Sequence, residues 1–267
     1  SIMRVAILCS GQLRPYSTLP PLNVSGDVFL CYWNTIDESF NHTHKAHRFP
    51  DNTAEDEIAR LRPVRHKCCV YADWYDSLTP TLREEFDSGY SRRRLSTSMP
   101  QAFLMEECLG LMVQHENECN FQYDVVVRMR PDTLITDMSF IFSQIEQNTI
   151  HHMNPPHIFY AQRIYDILFF GARSAMVHMM ALWMKIEQLI SLTKSSKYDN
   201  GLDYIDACRL LYAHAMERGL QVRDIPHSFG DVYRGEELLD YHKKIMSFNR
   251  RVKVITFYTE GPPTDNG

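Results

Sequence analysis

The sequence of 267 residues lacks the cysteine patterns of structural zinc sites and of disulfide-rich domains. Its seven cysteines include no Cys-x-x-Cys pair, so the usual spacing of a structural zinc site is absent. An odd number of cysteines, with Cys68 and Cys69 adjacent, is also unlike a disulfide framework. We therefore expect reduced, buried thiols and a cytoplasmic protein.

An excess of basic charge and long apolar runs are missing as well. Lysine and arginine number 28 against 33 aspartates and glutamates, which gives a formal net charge of -5. Nucleic acid is therefore not an expected partner, because such proteins carry a basic footprint. No apolar run approaches the roughly 20 residues of a membrane-spanning helix, so we expect no transmembrane segment.

Glycine is scarce, at 11 residues, and neither glycine-rich phosphate motif occurs. The absence of G-x-G-x-x-G and of a Walker A sequence argues against the common dinucleotide and P-loop sites. Gly11 nevertheless follows the first apolar segment, in Ser10-Gly11-Gln12-Leu13-Arg14. A glycine there lets backbone N–H groups approach a ligand, and Arg14 can pair with a phosphate. The alternative is a tight turn with a solvated arginine.

Apolar segments alternate with amphipathic stretches along most of the chain. Strands are predicted at 4–9, 27–32, 68–71, 165–170, 221–223 and 252–258, with another beginning at Val125, and helices at 54–62, 99–115, 139–147, 174–192 and 203–218. Pro100 suits the first turn of its helix, and Gly219 suits a C-cap. This alternation predicts an α/β fold with a mostly parallel central sheet and helices on both faces. We expect one domain over 3–258 and a flexible tail or linker at 259–267.

The most informative segment is the strand that begins at Val125 and runs into Arg128-Met129-Arg130-Pro131-Asp132. Pro131 ends the strand, because proline lacks the N–H that a sheet requires. The charged side chains then lie at the carboxyl end of a strand, where open α/β sheets bind their ligands. Two interpretations are open. Asp132 either pairs structurally with an arginine, or binds Mg²⁺ or Mn²⁺ while the arginines neutralise a diphosphate.

These segments together resemble nucleotide-sugar glycosyltransferases of the GT-A fold. Tyr-Asp, the strand residues that follow and a charged triplet are similar to the stretch that holds the family's Asp-x-Asp motif, with Arg130-Pro131-Asp132 at the triplet. Ser-Gly-Gln-Leu-Arg at 10–14, Asp-Val-Phe-Leu-Cys-Tyr-Trp-Asn at 27–34 and Tyr-Asp-Ile-Leu-Phe-Phe-Gly at 165–171 resemble, in the same order, glycosyltransferase-like proteins of polysaccharide gene clusters and large DNA viruses. The resemblance extends from Met3 to Tyr233.

The resemblance implies a single GT-A-like, Rossmann-like domain that transfers a hexose or pentose from a UDP- or GDP-sugar to a glycan hydroxyl. The chain would act alone or as one domain of a larger glycosyltransferase. The nucleotide or its diphosphate would be bound by Ser10, Gly11, Gln12, Arg14, Arg128 and Arg130. Asp132 and His227 would bind a divalent cation, Mn²⁺ or Mg²⁺. Arg130 replaces the first carboxylate of the family's motif, so it is a candidate for part of the cation's catalytic role.

Asp166 is the candidate catalytic base. If the reaction inverts the anomeric centre, a carboxylate must remove the proton of the attacking hydroxyl. Asp166 is predicted to begin an apolar strand, where partial burial would make it a stronger base. The alternative is a structural carboxylate bound by backbone N–H groups or by Arg163, and Asp199 and Asp203 are second candidates for the base. Two other functions stay open: a nucleotidyltransferase on a similar sheet, and a glycan-binding module without catalysis.

Overall fold

The computed structural model describes residues 2–13, 22, 25–37, 46–48, 53–88, 95–135, 142, 145–153, 162–195, 205–225, 227–232 and 252–257. In chain order its strands are β1 (Val5–Gly11), β2 (Asp27–Trp33), β3 (Thr35–Asp37), β4 (Ala46–Arg48), β5 (Arg65–Cys69), β6 (Val125–Met129), β7 (Thr133–Ile135), β8 (Thr149–His152), β9 (Leu168–Ala172), β10 (Gln221–Asp224), β11 (His227–Val232) and β12 (Val252–Phe257). Its helices are α1 (Thr53–Leu61), α2 (Tyr71–Asp76), α3 (Pro80–Ser88), α4 (Leu95–Cys119), α5 (Arg173–Met180), α6 (Ile186–Lys194) and α7 (Ala207–Glu217).

Seven of these strands form one central sheet in the order β10-β8-β9-β6-β1-β2-β5. Every neighbouring pair is parallel except those of β9, which runs antiparallel to β6 and to β8. The predicted α/β class with a mostly parallel central sheet is confirmed. Outside this sheet, β11, β12 and β7 form a three-stranded sheet, and β3 pairs with β4.

Helices cover both faces of the central sheet, as predicted. On one face Ala6, Leu8 and Phe29 pack against residues of α4, including Met105 and Cys108. On the other face, Ile7 and Val127 belong to a second apolar cluster that includes Leu61 of α1. Because both faces are covered, β1 and β6 are buried along their whole length and show no polar alternation.

Helix α4 is longer than predicted, and the placement of Pro100 in its first turn is wrong. The helix begins at Leu95, so Pro100 lies inside it and is buried. Proline removes one helical hydrogen bond there. The helix continues because it buries side chains such as Met99 and Leu104 completely. Packing of an apolar face stabilises a helix more than local propensity does.

The single helix predicted over 174–192 is also wrong. Helix α5 ends at Met180, a 3₁₀ turn occupies Trp183–Lys185, and α6 begins at Ile186. The turn brings the Trp183 ring against Trp74 and Phe103, with ring centres 5.9 and 5.7 Å apart. Apolar spacing did not indicate the break, because α5 and α6 both pack against the same core.

The predicted cap of α7 is confirmed. Gly219 has φ +67° and donates its N–H to the Met216 carbonyl at 3.0 Å, while Leu220 donates to the Ala215 carbonyl at 2.9 Å. This is the Schellman pattern, in which a left-handed residue satisfies the last carbonyls of a helix. Most of the predicted helix at 139–147 lies outside the described residues, as does the predicted tail at 259–267, so the domain boundaries stay predictions.

All seven cysteines are free, and five of them are buried as expected, whereas Cys68 and Cys119 are exposed. Burial raises the pKa of the Cys9 thiol to about 12, despite the nearby Arg60 and Arg128, so this thiol is not a nucleophile at neutral pH. No described helix has the length and apolar character needed to cross a bilayer.

Gly171, in the antiparallel strand β9, is expected to tolerate no side chain. A Cβ atom there would lie 2.6 Å from the Thr149 carbonyl oxygen, which belongs to the backbone of β8. We expect Gly171→Ala to lower the free energy of unfolding by about 1–3 kcal/mol, because the strands must separate to admit the methyl group.

Gly110 in α4 provides the matched control, since a Cβ there meets nothing within 4 Å. Gly110→Ala is expected to stabilise the protein by about 0.5–1 kcal/mol, because alanine loses less backbone entropy in a helix. Urea unfolding of both variants measures the contrast. Equal free energies of unfolding would contradict the predicted clash.

Candidate functional site

The two motifs found in the sequence meet at the carboxyl end of the central sheet. Strands β1 and β6 are parallel neighbours, with Cys9 opposite Met129, so the residues that follow them lie at the same edge. Gly11 has φ +150°, and a Cβ there would lie 3.0 Å from Cδ of Pro131. Glycine is therefore required at this position both by the backbone conformation and by the close approach of Pro131.

The turn after β6 is anchored from two sides. Thr133 donates its N–H to the Arg130 carbonyl at 3.1 Å, and the Arg130 N–H donates to the Ile167 carbonyl at 3.0 Å. The buried Arg60 of α1 donates from Nη2 to the Pro131 carbonyl at 3.0 Å and to Glu57 Oε2 at 2.7 Å. The backbone that presents Arg130 and Asp132 is thus held by hydrogen bonds to separate parts of the fold.

Arg130 and Asp132 form a bidentate ion pair within this turn. Nε of Arg130 donates to Oδ1 of Asp132 at 2.9 Å, and Nη2 donates to Oδ2 at 2.5 Å. Parallel paired bonds of this kind are the strongest that arginine makes with a carboxylate. The Asp132 side chain is 6% exposed and that of Arg130 is 20% exposed, so the arginine is the more accessible partner.

Asp166 completes a carboxylate–arginine–carboxylate row. Its Oδ2 lies 3.7 Å from Nη1 of Arg130, and its Oδ1 accepts a hydrogen bond from the Cys208 thiol at 3.6 Å. Burial opposes the charge of Arg130, but Asp132 and Asp166 together raise the pKa of its guanidinium above the ordinary value. Arg130 is therefore positively charged throughout the physiological pH range.

Two expectations about the surroundings of Asp166 are corrected. Strand β9 begins at Leu168, so Asp166 lies in the preceding turn and is 13% exposed rather than being the first residue of a strand. Arg163 forms its ion pair with buried Asp206, which also caps α7 by accepting a hydrogen bond from the Arg209 N–H at 3.0 Å.

Arg128 brings a second positive charge to the same edge, entirely buried. Its Nη2 donates to the Ser10 carbonyl at 3.3 Å, and its guanidinium carbon lies 5.9 Å from the centre of the Phe169 ring. Burial lowers the pKa of Arg128 to about 10, an effect that Asp166 partly opposes. The group is therefore still charged at neutral pH.

Several buried polar atoms at this edge have no hydrogen-bond partner within the described part of the chain. They are Nε and Nη1 of Arg128, the Ser10 hydroxyl and the Thr133 hydroxyl. Most buried polar atoms in proteins are satisfied, and exceptions are frequent at functional sites. Unused donors on a buried cation are suited to an anionic ligand.

The described residues do not assemble the predicted metal site. Both oxygens of Asp132 already accept hydrogen bonds from Arg130, and the described residues contain no group of three or more His, Cys, Asp or Glu that could hold an ion. His227 lies opposite Phe257 in β12, whereas Lys253 is the residue of β12 opposite Thr133. The backbone of His227 is therefore roughly 13 Å further along the strands than that of Thr133.

The metal roles of Asp132 and His227 accordingly stay predictions. Gln12 follows Gly11 at the edge of the sheet, and its role in nucleotide binding also stays a prediction. Arg14, Asp199 and Asp203 lie outside the described residues.

The sequence did not indicate the part played by Glu57 and Arg60. Their spacing of three residues on α1 is typical of an ordinary helical ion pair. Only their complete burial and the contact of Arg60 with Pro131, 71 residues away, show that they support the site.

No protein-family model and no curated protein matches the sequence. Among solved structures, the apo form of mouse xyloside xylosyltransferase 1 matches over 98% of this chain and 99% of that chain, with 10% sequence identity and a TM-score of 0.41. A likeness at this level carries no conclusion about function, which has to come from the site.

Proposed function

We propose that this chain is a glycosyltransferase that moves a sugar from a UDP- or GDP-sugar to a hydroxyl group of a glycan. The observation that carries this proposal is the contact between Gly11 and Pro131, which puts the two motifs of the sequence at one edge of the sheet. Arg128, Arg130 and Asp166 lie around that contact, so an anion site and a carboxylate base are adjacent.

The chemistry follows from these positions. The glycan hydroxyl attacks the anomeric carbon of the donor while the bond from that carbon to the diphosphate oxygen breaks. Arg130 and Arg128 stabilise the negative charge that develops on the leaving diphosphate, and fixed charges in a partly dry site do so efficiently. Asp166 accepts the proton of the attacking hydroxyl. Each step uses side chains of this chain alone.

The test is the release of nucleoside diphosphate from a panel of UDP- and GDP-sugars by the purified protein, with and without glycan acceptors. Arg130→Gln is expected to reduce turnover about 10²–10³-fold, the usual effect of removing one donor that stabilises a developing anion. Asp132→Ala is expected to reduce it as well, because Arg130 loses its bidentate partner.

Arg223→Gln is the matched control, since Arg223 is half-exposed on β10 and pairs with Glu146 at 2.5 Å. Its turnover is expected to equal that of the unaltered protein. If no donor yields nucleoside diphosphate under any condition, the proposed reaction is wrong. Release of pyrophosphate would instead indicate a nucleotidyltransferase.

A glycan-binding module without catalysis is the second candidate. The observation in its favour is the bidentate pairing of Asp132, in which both carboxylate oxygens already accept hydrogen bonds from Arg130. Calorimetry separates the two functions, because such a module would bind glycans but have no affinity for UDP, GDP or their sugars.

A further inference from the structure

We propose that Arg130, and not a divalent cation held by Asp132, binds the diphosphate of the donor, and that Asp132 is a positioning residue for Arg130. This inference rests on the proposed function and specifies how that site recognises its donor. It makes donor binding independent of divalent metal.

The position of Asp132 disfavours a metal ion at its carboxylate. Both oxygens of Asp132 already accept hydrogen bonds from Arg130, so a metal ion would either lie beside the guanidinium on the remaining lone pairs or displace it. Separating a largely buried pair leaves an uncompensated charge, which is strongly unfavourable. The metal ion and the guanidinium of Arg130 would also repel each other, because both carry positive charge.

The orientation of Arg130 leaves part of its guanidinium available to a phosphate. Nε and Nη2 face Asp132, which leaves the Nη1 corner of the guanidinium directed towards Asp166. The distance of 3.7 Å from Nη1 to Asp166 Oδ2 is longer than a hydrogen bond, so this corner can donate to another acceptor. The side chain of Arg130 is 20% exposed, so a phosphate oxygen can approach it. The side chain of Asp132 is only 6% exposed and is therefore covered.

The two arginines at the site carry as much positive charge as one divalent metal ion. Arg128 and Arg130 together supply two positive charges beside Asp132 and Asp166. A divalent ion held by two carboxylates would supply the same formal charge. Arginine also binds phosphate through paired N–H groups in a fixed plane, which a point charge does not.

The turn that carries Arg130 is held rigidly by hydrogen bonds. Arg60 holds the Pro131 carbonyl, and the Ile167 carbonyl holds the Arg130 N–H, so the backbone on both sides of the arginine is fixed. With the side chain also held by Asp132, the guanidinium is in place before the ligand arrives. Such preorganisation reduces the entropy lost on binding.

Calorimetric titration of the full chain with UDP and with GDP tests the inference, each in EDTA and in Mn²⁺. We expect the nucleotide that binds to have the same dissociation constant, within about twofold, in both conditions. Arg130→Gln is expected to weaken binding about 10- to 100-fold, the usual range for a hydrogen bond to a charged group. Arg223→Gln is expected to leave it unchanged.

A double-mutant cycle tests the positioning role of Asp132. Asp132→Asn alone is expected to weaken binding, but less than Arg130→Gln does. In the Arg130→Gln background Asp132→Asn is expected to have no further effect, because Asp132 acts through the arginine. Additive losses in the double variant would overturn the positioning role.

The outcomes distinguish this inference from the proposed function. Nucleotide binding that requires Mn²⁺ and disappears in EDTA overturns the inference and leaves the glycosyltransferase proposal standing. If neither nucleotide binds with or without Mn²⁺, the proposed function fails and the inference fails with it. Thermal unfolding of each variant confirms that it is folded.

Discussion

Asp166→Asn is expected to reduce turnover about 10²–10⁴-fold, the contribution usual for a positioned general base. Asparagine has nearly the shape of aspartate but accepts no proton at neutral pH, so the attacking hydroxyl keeps its proton. Asp166 is suited to this role because it is partly exposed beside Arg130 and lies in a turn at the carboxyl edge of the sheet. Initial rates of nucleoside diphosphate release measure the loss.

Nucleotide binding by Asp166→Asn is expected to change little, because Asp132 still holds Arg130 in place. The fall would then be in kcat rather than in affinity, which separates a base from a binding residue. Asp73→Asn makes the same change of charge on the exposed side of α2, which follows the edge strand β5, and serves as the control. Equal turnover in both variants would show that Asp166 is not the base.

Arg128→Met is expected to make the protein more stable and less able to bind its donor. Arg128 is fully buried, and Nε and Nη1 have no partner in the described part of the chain. Burying a charged group costs several kcal/mol, and the apolar methionine side chain of similar length avoids this cost. The same change removes the positive charge of Arg128 near Arg130, and donor binding is expected to weaken for that reason.

The two effects of Arg128→Met are measured separately, by urea unfolding and by nucleotide titration. A gain in free energy of unfolding together with weaker nucleotide binding would show that stability is given up for function at this position. A less stable variant would mean that the hydrogen bond from Arg128 to the Ser10 carbonyl matters more than the burial of the charge. Arg223→Gln again provides the surface control.

Local sequence was sufficient to predict the parts of the fold that depend on neighbours in the chain. Strands β1, β2 and β6 were recognised because continuous apolar runs with β-branched residues form strands that are buried on both faces. The cap at Gly219 was recognised because a left-handed residue is required there. Charge at the carboxyl end of β6 was also evident, since Pro131 ends the strand.

Elements that depend on distant contacts were not predicted. Strand β7 has only three residues, and β8 is a buried strand of polar composition, Thr-Ile-His-His. The break between α5 and α6 is stabilised by aromatic contacts of Trp183 with Trp74 and Phe103, which lie far away in the sequence. Pro100 is tolerated inside α4 because the surrounding helix is buried.

The candidate site shows the same division. The residue types and their order along the chain predicted a diphosphate site with an adjacent carboxylate, because each motif directly follows a strand. An ion pair of Asp132 with an arginine was one of two interpretations of that order, but whether Arg128 or Arg130 forms it could not be read from the sequence. Arg130 pairs with Asp132, and Arg163 pairs with Asp206 instead of Asp166. The contact of Gly11 with Pro131 exists because β1 and β6 are neighbours in the sheet, and strand order is set by packing of the whole chain.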